Sequence, residues 1–160
     1  MKSSINKKQT VCFVTHDYSF FKRFLINLAV EISDSYDVTV ITDIQNIEKR
    51  DLEFLKENSI ILEGLNQRSQ TNKFTILTYI YALKKIVNKV SPEHIFYTTV
   101  EIAFVGSLIT KFNSARKYYF VITGIGLDFF IKKLRYKILN LFYSVFFKAN
   151  RFKENVTYIF

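Results

Sequence analysis

A single cysteine, Cys12, excludes a disulfide framework within this chain. It lies inside an apolar run, so we expect a buried thiol in a reducing compartment. One cysteine and two histidines are too few for a usual zinc site. No catalytic triad, metal cluster or paired-carboxylate motif stands out, and we expect no metal and no bound cofactor. Nowhere is there a stretch of about 18 uncharged apolar residues, so no transmembrane helix is expected. The nearest approach, Ile138 to Phe147, is interrupted by Asn140 and Ser144. Residues 1–9 lack an apolar segment before a cleavage site and read as a polar lead-in, not a signal peptide. Glycine is scarce at 4 residues, and 2 of them fall in one turn, Thr123-Gly124-Ile125-Gly126.

What the chain has in abundance is apolar and aromatic. Hydrophobic residues make up 49% of its 160 residues, with 17 Phe and 10 Tyr, which argues against disorder and for one domain with a real core. Part of the aromatic excess fits a compositional bias without function. The net charge of +9 is uneven. Residues 1–128 hold 16 basic and 13 acidic residues, or +3, whereas residues 129–160 hold 7 and 1, or +6. The basic end points to an anionic partner such as a lipid surface or a phosphate-bearing substrate.

Strand-like and helix-like segments alternate along the chain. Thr10 to Thr15, Val38 to Thr42, Ile60 to Leu62, His94 to Thr98, Tyr118 to Ile122 and Val156 to Phe160 are short apolar or β-branched runs, suited to buried parallel strands. Between them, Phe21, Leu25, Leu28 and Ile32 recur at helical spacing, as do Ile76, Ile80, Leu83, Val87 and Val90. Ile47 to Glu57 and Glu101 to Phe112 read as two further helices, and Gly64 to Asn72 as a loop. Gly106 and Ser107 are small enough to let the second of these helices pack closely. Ser91-Pro92 stops the long helix. The pattern predicts a Rossmann-like α/β sandwich: a mainly parallel sheet of about six strands with helices on both faces. A chain ending on a strand is unusual for such a domain, so we expect the reading frame to continue beyond Phe160.

In such a sheet, ligands bind outside the carboxyl ends of the strands. Two places there carry chemistry. His16 and Asp17 follow the first strand, where a His beside an Asp can act as an acid/base or an oriented hydrogen-bonding group, or simply cap a helix. Thr123, Gly124 and Gly126 follow the fifth strand, where glycine lets backbone N–H groups approach a ligand or merely permits a tight turn. No Lys-Ser/Thr pair follows these glycines, so the turn is not a P-loop. No glycine follows the first strand either, which disfavours a dinucleotide-dependent dehydrogenase. His94 opens a strand at the amino end and reads as structural. Glu101 reads as a helix start.

Residues 129–148 form a basic aromatic segment with 5 Lys or Arg and no acid. Lys132, Lys133, Arg135, Tyr136 and Lys137 are its candidate membrane contacts, since a helix of this kind can lie in a lipid interface. A core helix with snorkelling lysines is the plainer alternative. Nucleic acid ranks low, because the aromatics sit on a helix and not on an exposed sheet platform.

Several pieces together resemble the amino-terminal domain of family-four, retaining glycosyltransferases of the GT-B fold, in the branch that builds bacterial surface polysaccharides. They are Val11 to Phe21, Leu25 to Ile32, Tyr36 to Thr42, Pro92-Glu93-His94-Ile95-Phe96-Tyr97, and Tyr119 to Gly126, whose Thr-Gly-Ile-Gly is similar to a Thr-Gly-Leu-Gly turn of that branch. The resemblance covers nearly all of residues 1–160. It implies the acceptor-side half of a two-domain, hexosyltransferase-type enzyme that moves a sugar from a nucleotide-sugar to a lipid-linked or polysaccharide acceptor, without a metal. The donor-binding domain with its paired glutamates would lie outside these residues, leaving this half inactive alone. A stand-alone membrane-associated module working with a separately encoded donor domain is the alternative. The implied location is cytoplasmic, peripheral at the inner face of the cell membrane. Many members have glycines after the first strand and a histidine after the fifth, where this chain has His16-Asp17 and Thr123-Gly124. Only a cleft role for His16, Asp17, Thr123, Gly124 and Gly126 therefore carries over, and no catalytic histidine.

Overall fold

The structure, a computed structural model, describes residues 8–45, 47–65, 75–110, 116–122, 144 and 154–159. In chain order these form β1 (Thr10–Asp17), α1 (Tyr18–Phe24), α2 (Ile26–Ser33), β2 (Asp37–Asp43), α3 (Lys49–Glu57), β3 (Ile61–Gly64), α4 (Thr75–Val90), β4 (His94–Thr98), α5 (Val100–Thr110), β5 (Lys117–Val121) and β6 (Val156–Ile159). The six strands make one sheet in the order β3-β2-β1-β4-β5-β6, and every neighbouring pair is parallel. This is the Rossmann-like α/β sandwich that the alternation predicts.

Alternation along the strands builds two cores. Val11 and Phe13 of β1 face Phe21, Ala29 and Leu55 of α1, α2 and α3. Cys12 and Val14 face Leu83 and Val87 of α4 and Ile102, Ala103, Val105 and Ile109 of α5. The aromatic excess has a structural use here. On one face Phe21, Phe13, Phe96 and Tyr119 form a chain of rings with centroids 6.3, 5.2 and 4.3 Å apart. On the other, Tyr118, Tyr97, Phe120 and Tyr158 lie 6.5, 5.5 and 5.7 Å apart. Cross-strand aromatic pairs of this kind hold the register of adjacent strands.

The first helical stripe needs correction. Spacing places Phe21, Leu25, Leu28 and Ile32 on one buried face, but Leu28 is 43% exposed while Phe21 and Ala29 are fully buried. The helix is jointed at Leu25, whose φ of −121° and ψ of −16° depart from helical values. Hydrogen bonds still bridge the joint, from Leu25 N to Phe21 O and from Ala29 N to Leu25 O, both 2.9 Å. The buried line therefore runs through Phe21 and Ala29, and the small alanine lets α2 lie close to the sheet. Lys22 ties α1 to α3, its Nζ 2.7 Å from the mostly buried carboxylate of Asp51.

At the amino edge of the sheet His94 is structural. Its Nε2 donates to Gln9 Oε1 at 3.3 Å, and its Nδ1 accepts from the Tyr119 hydroxyl at 3.2 Å. Burial, and then the charge of Lys117, lower its pKa from the ordinary 6.5, with Glu93 opposing. The unfolded chain therefore takes up this proton more readily, so the contribution of His94 to stability is full above about pH 6.5 and is lost as pH falls through its lowered folded-state value. Thermal melts from about pH 7 to 5 should fall more steeply for the native chain than for His94→Gln.

Candidate functional site

The strand order turns at β1. The chain runs outward from β1 through β2 to β3 on one side, then crosses back to β4 and continues to β6 on the other. The carboxyl ends of β1 and β4 therefore flank the switch-point crevice, where open α/β sheets bind ligands.

Threonines frame this edge. The buried Thr15 hydroxyl, at the end of β1, lies 2.9 Å from Thr42 Oγ1 of β2 and 3.1 Å from the carbonyl oxygen of Asp17. Thr98, at the end of β4, donates from Oγ1 to the carbonyl of Val14 at 3.0 Å. Side-chain bonds thus stitch three neighbouring strand ends together and satisfy polar groups that would otherwise be buried unpaired. The signal was present in the sequence as a repeated apolar-Thr ending, Val14-Thr15, Ile41-Thr42 and Tyr97-Thr98, which periodicity alone passes over.

Just beyond Thr15 the β1–β2 ladder slips. Val14 pairs with Ile41 but Asp17 pairs with Asp43, so β1 carries one residue more than β2 over that interval. Such a bulge re-aims side chains and is common beside functional sites. His16 lies in it. Asp17 then does two things. Its Oδ1 accepts from the Phe20 N–H at 2.8 Å and caps α1, and its Oδ2 lies 3.3 Å from His16 Nδ1. The carboxylate favours the tautomer with the proton on Nδ1, leaving Nε2 with its lone pair. The two side chains are 50% and 48% exposed, so their attraction is weak as an ion pair and matters chiefly for orientation.

On the neighbouring side, Thr99 follows β4. The pairing of Val14 with Tyr97 sets His16 and Thr99 each two residues beyond matched positions on adjacent strands. Tyr79, near the start of α4, has a buried hydroxyl with no hydrogen-bond partner among the described residues. Burial first, and then the Asp43 carboxylate, push its pKa up. Cys12 is buried as expected, and burial raises its thiol pKa far above the range in which a thiolate forms, so it is no nucleophile. Among the described residues no group of three or more His, Cys, Asp or Glu could hold a metal ion.

The structure thus brings His16 and Asp17 into contact at the carboxyl end of β1. Thr123, Gly124 and Gly126, together with Lys132, Lys133, Arg135, Tyr136 and Lys137, lie outside the described residues. Thr15, Thr42, Thr98 and Thr99 are the edge residues that sequence reasoning missed.

Residues 10–157 match the family described as Glycosyl transferase 4-like. The chain belongs to this family. Among solved structures it is similar to a glycosyltransferase from Rickettsia africae ESF-5, with a TM-score of 0.54 at 15% identity over 94% of this chain and 42% of that one. It is similar to MurG of Acinetobacter baumannii, with a TM-score of 0.54 at 11% identity over 96% and 41%. Sucrose-phosphate synthase of Thermosynechococcus elongatus gives a TM-score of 0.55 at 12% identity over 94% and 47%. At these identities the likeness concerns fold, which is that of half a GT-B glycosyltransferase. The chain spans less than half the length of each of these three proteins. A search of curated protein sequences returns no match.

Proposed function

We propose that this glycosyltransferase 4-like domain is the acceptor-binding half of a retaining transferase, which moves a sugar from a nucleotide-sugar to a lipid-linked or glycan acceptor of surface-polysaccharide synthesis. The observation that carries the reading is the His16–Asp17 pair, displayed from a bulge at the switch-point crevice of a family-typical sheet. In this reading His16 Nε2 accepts a hydrogen bond from the attacking hydroxyl of the acceptor, and Asp17 holds the ring in the tautomer that can do so. Holding a hydroxyl in line with the donor is a large part of what such a site can contribute to rate. The nucleotide-sugar is held by a second Rossmann-like domain, and Thr123, Gly124 and Gly126 contribute to the wall of the cleft beside it. No metal takes part.

A lipid-linked acceptor requires the enzyme at a membrane surface. The basic aromatic segment 129–148 supplies that contact in this reading, through Lys132, Lys133, Arg135, Tyr136 and Lys137, at the cytoplasmic face. Among the described residues no helix is long and apolar enough to cross a membrane. Co-sedimentation with vesicles containing anionic lipid should show binding at low salt that weakens as salt screens the charges. A chain that stays in the supernatant at low salt would remove the membrane part of the proposal.

The acceptor part is tested by titrating the chain with a short-chain prenyl-diphosphate-linked N-acetylglucosamine and with simple methyl glycosides. Binding of the native chain that His16→Ala weakens supports the reading. Binding of equal strength in both proteins removes His16 from it.

A further inference from the structure

The helical pair α1–α2 carries one apolar row into the core and a second one outward. The inward row runs through Tyr18, Phe21 and Ala29, all buried. The outward row is Phe20, Phe24 and Leu28, spaced four residues apart and so aligned along one side of a helix. Phe24 is 62% exposed and Leu28 43%. The rings of Phe20 and Phe24 lie against each other, with centroids 5.0 Å apart. Two helical hydrogen bonds span the joint at Leu25, so the row carries over from α1 to α2. Basic groups border it. Lys22 and Arg23 stand in the last turn of α1, whose sequence contains no acid. Lys22 is paired with Asp51. The Arg23 guanidinium lies 5.9 Å from the centroid of the Phe24 ring, and among the described residues it has no acidic partner. Glu31, one turn beyond Leu28, is the acid of α2.

We propose that this outward row is a membrane-docking surface for an anionic bilayer, with Phe24 and Leu28 entering the boundary between headgroups and acyl chains and Arg23 meeting the headgroup phosphates. Single exposed apolar residues are ordinary, but a continuous aromatic row with an unpaired cation over it is the pattern of an interfacial helix. Its charge fits such a surface, on α1 and in the chain's net +9. Its size does not fit a protein partner. Phe24 and Leu28 together expose roughly 200 Å², whereas a stable protein interface takes about 800 Å² from each side. The surface is separate from segment 129–148, and its use rests on the reading of a lipid-linked acceptor. Helix α1 starts directly after Asp17, which caps it through the Phe20 N–H at 2.8 Å. The docking row therefore begins within one turn of the His16–Asp17 pair, and docking brings that pair to an acceptor held in the bilayer.

The test is co-sedimentation of the full chain with vesicles of phosphatidylglycerol and phosphatidylethanolamine, and with vesicles of phosphatidylcholine alone. The double substitution Phe24→Ala with Leu28→Ala should weaken binding to the anionic vesicles about tenfold. Both side chains are exposed, so Tm should stay within about 2 °C of the native value. Arg23→Gln should weaken binding to the anionic vesicles about fivefold and leave binding to phosphatidylcholine unchanged. Tyr81→Ala is the control. Tyr81 is 71% exposed on α4, which packs on the opposite face of the sheet, and its loss should change binding less than about twofold. A double variant that binds as the native chain does overturns the α1–α2 surface alone and leaves membrane contact to segment 129–148. A native chain that binds neither kind of vesicle overturns this surface and the membrane part of the proposed function together. A native chain that dimerises in sedimentation velocity, with the double variant monomeric, assigns the row to a second copy and also overturns the proposal.

Discussion

Gly106→Ala should destabilise the domain by about 2 kcal/mol, although alanine is the better helix former by about 1 kcal/mol. The two effects oppose each other, and the geometry decides. A Cβ at Gly106 would lie 2.5 to 2.7 Å from Cγ, Cδ1 and Cδ2 of Tyr97. Those atoms cannot retreat. Tyr97 is fully buried, and its ring is stacked between Tyr118 and Phe120 on the neighbouring strand. Helix α5 would have to lift from the sheet, opening the core around Ile102, Ala103, Val105 and Ile109. For a domain of this size the loss corresponds to a fall in Tm of about 4–8 °C. Gly106→Val should cost more, about 3 kcal/mol, since branching adds volume at the same point. Gly64 is the control. A Cβ there would lie 2.6 Å from Ile44 Cδ1, a similar distance, but that atom is the end of a flexible side chain 38% exposed to solvent. Gly64→Ala should therefore change Tm by no more than about 1–2 °C. Stabilisation by Gly106→Ala would mean that helix propensity outweighs the packing of α5 on β4. The small pair Gly106-Ser107 is legible in the sequence as a close-packing signal, and the partner it serves is the Tyr97 ring.

Under the proposed acceptor role, His16→Ala should lower transferase kcat/KM by about 100-fold, with little change in stability. The side chain is half exposed and makes no core contact, so a loss of activity at constant Tm isolates its role. Asp17 allows a finer separation. Asn is as good a helix cap as Asp, so Asp17→Asn should keep the bond from Phe20 N–H and a native Tm. It removes the charge that favours the Nδ1-protonated tautomer of His16, and under the same role activity should fall about tenfold or more. Asp17→Ala loses both functions and should also cost about 1 kcal/mol of stability. Full activity in His16→Ala would leave the crevice without its central group.

The parts of the fold that were legible are those in which one physical pattern dominates. β1, β2 and β4 are near-continuous apolar or β-branched runs, and such runs have few alternatives to a buried parallel strand. The stripe on α4 survives because nothing interrupts its period, and Leu83 and Val87 are buried as the spacing requires. Leu28 was misplaced because a period assumes a straight helix, and the joint at Leu25 has no signature of the Pro or Gly kind. His16 and Asp17 were legible as a local pair at a strand end. Thr99 was not, for two reasons. A threonine before a helix looks like a cap, and its left-handed backbone, at φ 76°, leaves no trace in residue type. Its place at the end of a strand next to β1 depends on β1 pairing with β4, a long-range register that no local pattern encodes.

In the proposed function the acceptor binds at the carboxyl ends of β1 and β4. Its most direct test is an NMR titration of the isotopically labelled chain with the prenyl-diphosphate-linked N-acetylglucosamine. Shift changes should concentrate at His16, Asp17, Thr98 and Thr99, with Gln9, His94 and Tyr119 at the opposite edge unmoved. Changes centred on that opposite edge, with the crevice silent, would contradict it.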